Sequence, residues 1–235
     1  MDRYWELSGE QARELLKDSL AVIPVGSVEQ HCEGPLGTDL MLAEGLAAAM
    51  CEHLETTRSA RCVLMPSLSY GFSAEWSLAP GTISLSVETF QMLVKDVVRS
   101  LIANGAKRIV LLNGHYGNSP ALEAALRDLM RELPHDVAVL QVNYWEALGV
   151  DVGHASEEEA ELMRALGYTV DFGRCPCRAI PSPAGVKVYT RSFEVLAQLR
   201  ASSHGMASRD TIGRVLGDAV IAALGLLKGA SKPLP

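Results

Sequence analysis

The sequence has no excess of basic residues. Its 235 residues include 21 lysines and arginines against 28 aspartates and glutamates, which gives a formal net charge of −7. Binding to a nucleic-acid backbone depends on a positively charged surface, so we expect no nucleic-acid partner. With 48% hydrophobic and 21% charged residues the composition excludes intrinsic disorder, and a chain of this length predicts a single domain, residues 1–235.

Long apolar runs are also lacking, and we expect no secretory leader. No stretch approaches the roughly 18 uninterrupted apolar residues of a membrane-spanning helix. The first six residues, MDRYWE, carry acids where a signal peptide needs a basic region followed by an apolar run. The cysteines form an odd-numbered set without a repeating framework: Cys32, Cys51, Cys62, Cys175 and Cys177. We therefore expect reduced thiols, a cytoplasmic location and no association with membranes.

Several catalytic and nucleotide-binding motifs are absent. The chain has no Gly-x-Ser-x-Gly nucleophile elbow, no Gly-x-Gly-x-x-Gly or Walker A string, and no His-Glu-x-x-His. Cys175 and Cys177 could chelate a metal, but no second pair with suitable spacing exists. A serine nucleophile, a phosphate-binding loop and a thiolate metal site are therefore not favoured.

Strand and helix patterns alternate along the chain. Short apolar runs predict strands at 19–25, 61–66, 108–113 and 136–143. Apolar residues spaced three and four apart predict helices at 39–54, 86–104, 118–132, 157–166 and 208–228, with a connection rich in glycine and proline at 173–185. Asn118 is expected to cap the third of these helices. The alternation predicts a three-layer α/β fold, in which helices cover both faces of a mostly parallel sheet.

Residues with metal-binding side chains follow the first predicted strand. Glu29 and His31 stand two positions apart, so both point to the same side if the chain is extended there. Asp39 follows eight residues later, at the start of a helix. It either caps that helix or folds back toward Glu29 and His31, and both interpretations stay open at this point.

A second cluster, NGHYGN at 113–118, follows the third predicted strand. Glycines on either side of His115 allow the backbone to turn sharply and present the imidazole at the carboxyl edge of the sheet, where open α/β sheets bind ligands. Because the first and third predicted strands can be neighbours in such a sheet, His31 and His115 could meet in one crevice.

A third cluster, GHASEEE at 153–159, precedes a predicted helix. Its structural interpretation is a capping box from Ser156 to Glu159, with acids that complement the helix dipole. Imidazoles and carboxylates without a thiolate at a comparable position suit Zn, Mn or Fe. Taken together, the three clusters predict a metal site with room for water.

In their order and spacing these strings resemble the creatininase (creatinine amidohydrolase) family. The matching strings are PVGSVEQH at 24–31, GTD at 37–39, PGTISL at 80–85, NGHYGN at 113–118 and GHA at 153–155, and the resemblance runs from about residue 19 to 165. It implies a creatininase-like fold, two divalent metal ions (Zn, Mn or Fe) at the carboxyl edge of the sheet, and a closed homo-oligomer, often a hexamer in the family.

The resemblance also implies roles for individual residues. Glu29 and His115 would hold one metal, His31 would hold the other, and Asp39 would bridge both. A metal-bridging hydroxide would attack the amide carbonyl. His154 matches the catalytic histidine of the family and would carry a proton to the departing nitrogen.

The chain departs from the family pattern at several positions. Gly117 stands where true creatininases carry a glutamate ligand, and we expect Glu159 to replace that ligand and to take part in catalysis, with Glu157 as the second choice. Trp76 stands where relatives often have histidine. We expect Tyr116, Gly117 and Trp76 to contact the substrate.

The implied function is that of a metal-dependent hydrolase acting on C–N bonds other than peptide bonds, with a small-molecule amide other than creatinine as substrate. A cyclic amide, a formamide or a peptide would each fit an amide-cleaving site. One alternative is an enzyme similar to a formamidopyrimidine-nucleotide deformylase or to the mycofactocin peptidase. Another is a catalytically silent member that binds a small ligand.

Overall fold

A five-stranded parallel sheet runs through the computed structural model, which describes residues 1–150, 153–173 and 208–229. The strands are β1 (Asp2–Arg3), β2 (Leu20–Val25), β3 (Cys62–Leu64), β4 (Arg108–Asn113) and β5 (Ala138–Asn143), in the order β1-β3-β2-β4-β5. β2 and β4 pair along their whole length, from Leu20 opposite Arg108 to Val25 opposite Asn113. The expected neighbourhood of these two strands is confirmed.

Helices cover both faces of this sheet. They are α1 (Gly9–Leu16), α2 (Thr38–Thr56), α3 (Val87–Ala103), α4 (Asn118–Leu129), α5 (Tyr144–Leu148), α6 (Glu157–Ala165) and α7 (Arg209–Gly229). One hydrophobic core lies between the sheet and α2, α6 and α7, and the other lies between the sheet and α1, α3 and α4. The three-layer α/β prediction is confirmed.

The central strands are apolar on both sides because each side faces a helical layer. Val22 and Val110 pack toward α2, whereas Ile23 and Leu111 pack toward α3 and α4, and all four are inaccessible to solvent. Complete burial of such a side chain contributes about 1.5–3 kcal/mol. The sheet is therefore a rigid support for the loops that leave its carboxyl edge.

Asn118 does not act as the cap of α4, contrary to the prediction. The residue before the helix is Gly117, without a side-chain cap. The Asn118 carboxamide instead accepts a hydrogen bond from the Phe72 backbone at 2.8 Å and donates one to the Gly26 carbonyl at 2.9 Å. The side chain therefore ties the start of α4 to the loops that follow β2 and β3, a long-range role that the local sequence does not encode.

The expectation of reduced thiols holds for Cys51 and Cys62, which are free and buried. It is wrong for Cys32, which is disulfide-bonded, because a cysteine count says nothing about which residues the fold brings together. Most of the predicted 173–185 connection lies outside the described residues. In the described ranges no helix has the length and apolar character needed to cross a bilayer.

Candidate metal centre

The predicted site residues meet beyond the carboxyl ends of β2 and β4. Glu29 and His31 lie on the loop after β2, and His115 lies on the turn after β4. Between β4 and that turn, Gly114 packs against the first turn of α2, and a Cβ at this glycine would stand only 2.3 Å from the Asp39 carbonyl oxygen. The absence of a side chain at Gly114 therefore lets α2 approach the sheet and deliver Asp39 to the site.

Asp39 faces both imidazoles instead of capping α2. Gly37 precedes the helix and makes no side-chain cap, so the capping interpretation is wrong. The Asp39 carboxylate is buried, with Oδ2 3.0 Å from His115 Nδ1 and Oδ1 3.5 Å from His31 Nε2. The Ser27 hydroxyl donates a hydrogen bond to Oδ2 at 2.5 Å. One carboxylate between two imidazoles has the geometry of a bridging ligand.

Glu29 lies against the other edge of the His115 ring. Its Oε2 atom is 3.3 Å from His115 Nε2, and its Oε1 atom is 3.3 Å from His154 Nδ1. The side chain is almost completely buried, and Oε2 has no hydrogen-bond partner among the described residues. A buried carboxylate oxygen without a partner costs about 1–3 kcal/mol or more, so Oε2 is suited to a cation.

The His31 ring presents one nitrogen to the site. Its Nδ1 atom lies 3.1 Å from the Glu29 carbonyl, and because a carbonyl only accepts, Nδ1 must carry the proton. The fully buried Nε2 atom then points to Asp39 at 3.5 Å and to Glu159 Oε2 at 3.8 Å, and within the described part of the chain it has no hydrogen-bond partner. A histidine that donates Nδ1–H to a carbonyl and turns Nε2 toward carboxylates has the arrangement of a metal ligand.

Glu159 reaches the centre from the first turn of α6. Ser156 caps this helix by accepting from the Glu159 backbone at 3.2 Å, as the structural interpretation predicted. The Glu159 carboxylate does not complete the capping box, however, because it accepts from the Ala155 backbone at 2.8 Å and faces His31. Glu157 is exposed and pairs with Arg164 at 2.6 Å, so it does not reach the centre and the second choice is wrong.

The residues present fit divalent cations. Among the described residues, three overlapping sets bring their ligand atoms within 4.8 Å of one another: Glu29 with Asp39 and His115; His31 with Asp39 and Glu159; and Glu29 with His31 and His154. Oxygen and imidazole donors without thiolate suit Zn, Mn or Fe. Glu29 Oε2 and His31 Nε2, which lack hydrogen-bond partners among the described residues, belong to side chains of these sets. The first two sets share Asp39, as a bridged pair of ions requires.

The buried carboxylates of the cluster also favour positive charge at the site. Burial lowers the pKa of His31 and His115, but the surrounding carboxylates outweigh burial and raise both to about 10. Burial disfavours the charged form of a carboxyl group, and it raises the pKa of Glu159 to about 8. For Asp39, burial is outweighed by the two imidazoles, which hold its pKa well below the usual range. The metal-free site therefore holds protons where cations would bind.

Cation binding is accordingly expected to release protons. Imidazoles must be deprotonated to bind a metal, and with a pKa of about 10 both His31 and His115 are protonated at pH 7 in the metal-free protein. Glu159, with a pKa of about 8, is also largely protonated at pH 7 and must lose its proton to bind. Loading both sites should therefore displace about three protons, so affinity should rise with pH toward 10 and fall as the pH drops. Calorimetric titration with Zn²⁺ in buffers of different ionisation enthalpy measures this release. A binding enthalpy independent of the buffer would contradict it.

Sequence reasoning missed several polar neighbours of His115. The Phe72 carbonyl, the Ser73 hydroxyl and the Glu75 carboxylate lie 3.1, 3.3 and 3.7 Å from its Nε2 atom. Burial raises the pKa of Glu75. These residues belong to the loop after β3, and no periodicity or spacing in the sequence indicated that this loop folds over the end of β4. Ser27, by contrast, lies in a motif already singled out, although its contact with Asp39 was not foreseen.

The three residues expected to contact substrate have different surroundings. Tyr116 is 73% exposed, and its ring centroid lies 5.4 Å from that of Trp145. Gly117 lies against the His115 ring, where a Cβ would be 2.5 Å from Nε2. Trp76 is buried and stacks on His154, with ring centroids 4.2 Å apart. Their contact with a substrate stays a prediction.

A family model, curated relatives and solved structures that are similar to this chain agree with one another. A family model described as creatininase (creatinine amidohydrolase) matches residues 5–194. Creatinine amidohydrolase from Pseudomonas putida is 30% identical over 181 residues, which cover 66% of this chain and 67% of that protein. A mycofactocin precursor peptide peptidase from Mycolicibacterium smegmatis is 36% identical over 114 residues, 48% of this chain and 46% of the peptidase. A solved structure described as a manganese creatininase superposes with a TM-score of 0.70 at 25% identity, covering 98% of this chain and 99% of that one.

Proposed function

Because the chain belongs to the creatininase family, we propose that it is a metal-dependent amidohydrolase that cleaves an amide-type C–N bond in a small molecule. One observation carries the proposal. Side chains from separate stretches of the chain converge on Asp39, and in the ranges that the structure describes they leave buried ligand atoms on Glu29 and His31 without hydrogen-bond partners. In a purely structural cluster these buried atoms would stay without hydrogen-bond partners, which is unfavourable and rare in folded proteins.

The centre is proposed to hold two divalent cations, Zn, Mn or Fe. Glu29, Asp39 and His115 would hold one, and His31, Asp39 and Glu159 the other, which agrees with the two sets that share Asp39. When bound, two cations lower the pKa of a water molecule and polarise the substrate carbonyl. The manganese in the name of a solved relative supports a metal of this class.

The chain itself supplies orientation and proton transfer. Ser27 holds Asp39 in place between the imidazoles. Burial lowers the pKa of His154, so its ring is neutral near pH 7 and can take a proton and pass it to the departing nitrogen. Glu159, which accepts from the Ala155 backbone and faces His31, is proposed to take part in catalysis through the cation that it would help to hold.

The proposed substrate is an amide other than creatinine. Glutamate at the position of Gly117 is a creatininase feature that this chain lacks, and Trp76 narrows the space over His154. Tyr116, Gly117 and Trp76 are proposed to contact the substrate. The proposed enzyme class is that of hydrolases acting on C–N bonds other than peptide bonds. The 36% identity with a peptide peptidase supports a peptide amide as the second candidate, and a homo-oligomer is proposed by resemblance to the family.

Metal analysis and turnover test the proposal together. Protein purified without chelator should contain about two divalent ions per chain. It should then hydrolyse at least one member of a panel of lactams, formamides and short peptides, lose that activity after chelation and regain it when metal is restored. Metal-loaded protein that hydrolyses none of them would favour a silent ligand-binding member. Protein that takes up no metal would overturn the proposal.

Replacing His154 with asparagine separates proton transfer from metal binding. Because His154 is proposed to move a proton, the variant should keep both ions and lose about 10²–10⁴-fold in kcat. His135→Asn is the matched control, since His135 is exposed and follows α4 on the outer surface. Loss of an ion from the His154 variant would instead make this histidine a metal ligand.

A further inference from the structure

The side chain of Gln30 connects the loop after β2 to His154. Its Oε1 atom lies 3.1 Å from the backbone nitrogen of Cys32, and its Nε2 atom lies 2.7 Å from His154 Nε2. The Gln30 backbone is itself held, because its N–H donates to the Thr82 hydroxyl at 3.0 Å. The side chain is nearly buried, so its carboxamide has little freedom to choose other partners.

Hydrogen-bond chemistry determines the direction of this connection. The Cys32 backbone N–H can only donate, so the oxygen of the Gln30 carboxamide must face it. The NH₂ group then faces His154, and because an amide NH₂ can only donate, His154 Nε2 must accept. In a neutral ring the proton therefore resides on Nδ1, which lies 3.3 Å from Glu29 Oε1.

The faces of the His154 ring are held as firmly as its edges. The Trp76 indole stacks on the ring with centroids 4.2 Å apart and planes 22° apart. The His31 ring lies 4.3 Å from it at an angle of 40°. Exchanging the two nitrogens by rotation would require the imidazole to turn between these neighbours and to break both edge contacts.

We propose that Gln30 is a positioning residue that holds His154 in the tautomer with the proton on Nδ1, so that Nε2 is the nitrogen that accepts a proton during the reaction. The proposal rests on the proton-transfer role given to His154 under the proposed function. Glu29 then anchors Nδ1, and proton exchange takes place at Nε2 once substrate displaces the carboxamide. Because Nε2 accepts from Gln30 and the ring proton occupies Nδ1, the Nδ1 atom has no lone pair with which to bind a metal.

The tautomer can be measured directly in the metal-loaded protein by ¹⁵N NMR of labelled histidine, with the signals of residue 154 identified by their absence from H154N. The wild-type spectrum should contain a protonated Nδ1 and an unprotonated Nε2. A protonated Nε2, or an unprotonated Nδ1, would overturn the proposal without any further variant.

Two substitutions test the role of Gln30. Gln30→Glu keeps the shape but replaces the donor by an acceptor, so Nε2 should become protonated. Gln30→Met removes the bond and should make the second tautomer detectable beside the Nδ1-protonated form, which Glu29 still favours. Both should retain two ions and lose about 10- to 100-fold in kcat, as loss of an orienting partner typically does. Gln91→Glu makes the same change at a glutamine that donates to the Ala121 carbonyl on α4, and it should leave the His154 signals unchanged.

The outcomes separate this proposal from the proposed function. If the tautomer changes as expected but no amide is hydrolysed by the wild type, the positioning role stands and the hydrolase proposal fails. If amides are hydrolysed but the Gln30 variants keep the wild-type tautomer, the positioning role is wrong. Circular dichroism of each variant establishes that it is folded, and the wild-type spectrum remains decisive if a variant is not.

Discussion

Asp39→Asn is expected to lose both cations and to lower kcat/KM by more than about 100-fold, beyond what changes to orienting neighbours cost. Asp39 is the carboxylate that faces both His31 and His115, at 3.5 and 3.0 Å. An amide removes the negative charge and places an NH₂ donor against one imidazole. Metal content after gel filtration, measured by mass spectrometry, and steady-state kinetics would record the two losses.

The control for this substitution is Asp18→Asn. Asp18 is exposed and precedes β2, so it lies at the opposite edge of the parallel sheet from the centre. This variant should keep its metal content and activity. If Asp39→Asn also kept two ions per chain, Asp39 would not bridge them and the arrangement proposed for the centre would be wrong.

Gly117→Ala is expected to destabilise the protein by about 1–3 kcal/mol and to weaken the cation held by His115, because there is no room for a side chain. A Cβ at this position would stand 2.5 Å from His115 Nε2, 2.6 Å from Glu75 Oε1 and 2.7 Å from the Phe72 carbonyl oxygen. The backbone of Gly117 is in the ordinary right-handed region, with φ −59° and ψ −28°. The cost is therefore steric and does not come from backbone strain.

Denaturant unfolding and metal content compare this variant with Gly9→Ala, at a glycine in α1 where a Cβ would meet nothing within 4 Å. The control should be neutral or slightly stabilising, as alanine usually is in a helix. Adding Glu75→Ala to Gly117→Ala should restore part of the lost stability, since it removes one of the three obstacles. Equal stability and metal content in the Gly117 and Gly9 variants would mean that a side chain at position 117 is accommodated without steric cost.

The sequence predicted the centre of the fold better than its edges. β2 and β4 are runs of aliphatic residues buried on both sides, and such runs are recognisable without tertiary context. The two-residue strand β1 and the five-residue helix α5 are too short to show any periodicity. α1 was missed although its start carries a complete capping box, in which Ser8 and Gln11 exchange hydrogen bonds.

The site residues likewise fall into two groups: those that the sequence indicated and those whose roles depend on packing. Glu29, His31 and His115 were identified because each follows a strand that ends at the same edge of the sheet. The choice between capping and folding back for Asp39 depends on how closely α2 approaches Gly114, which only the packing determines. Glu157 and Glu159 stand two positions apart on a helix and point in different directions, so their roles depend on how α6 is rotated about its axis.

Anomalous diffraction from crystals of the metal-loaded protein, recorded at the absorption edge of the bound metal, would locate the cations relative to Asp39. We expect two peaks, one on either side of the Asp39 carboxylate, each about 2.0–2.2 Å from its nitrogen and oxygen ligand atoms for zinc. One peak should also contact Glu29 and His115, and the other His31 and Glu159. The absence of any peak within reach of these side chains would mean that they do not form a metal centre.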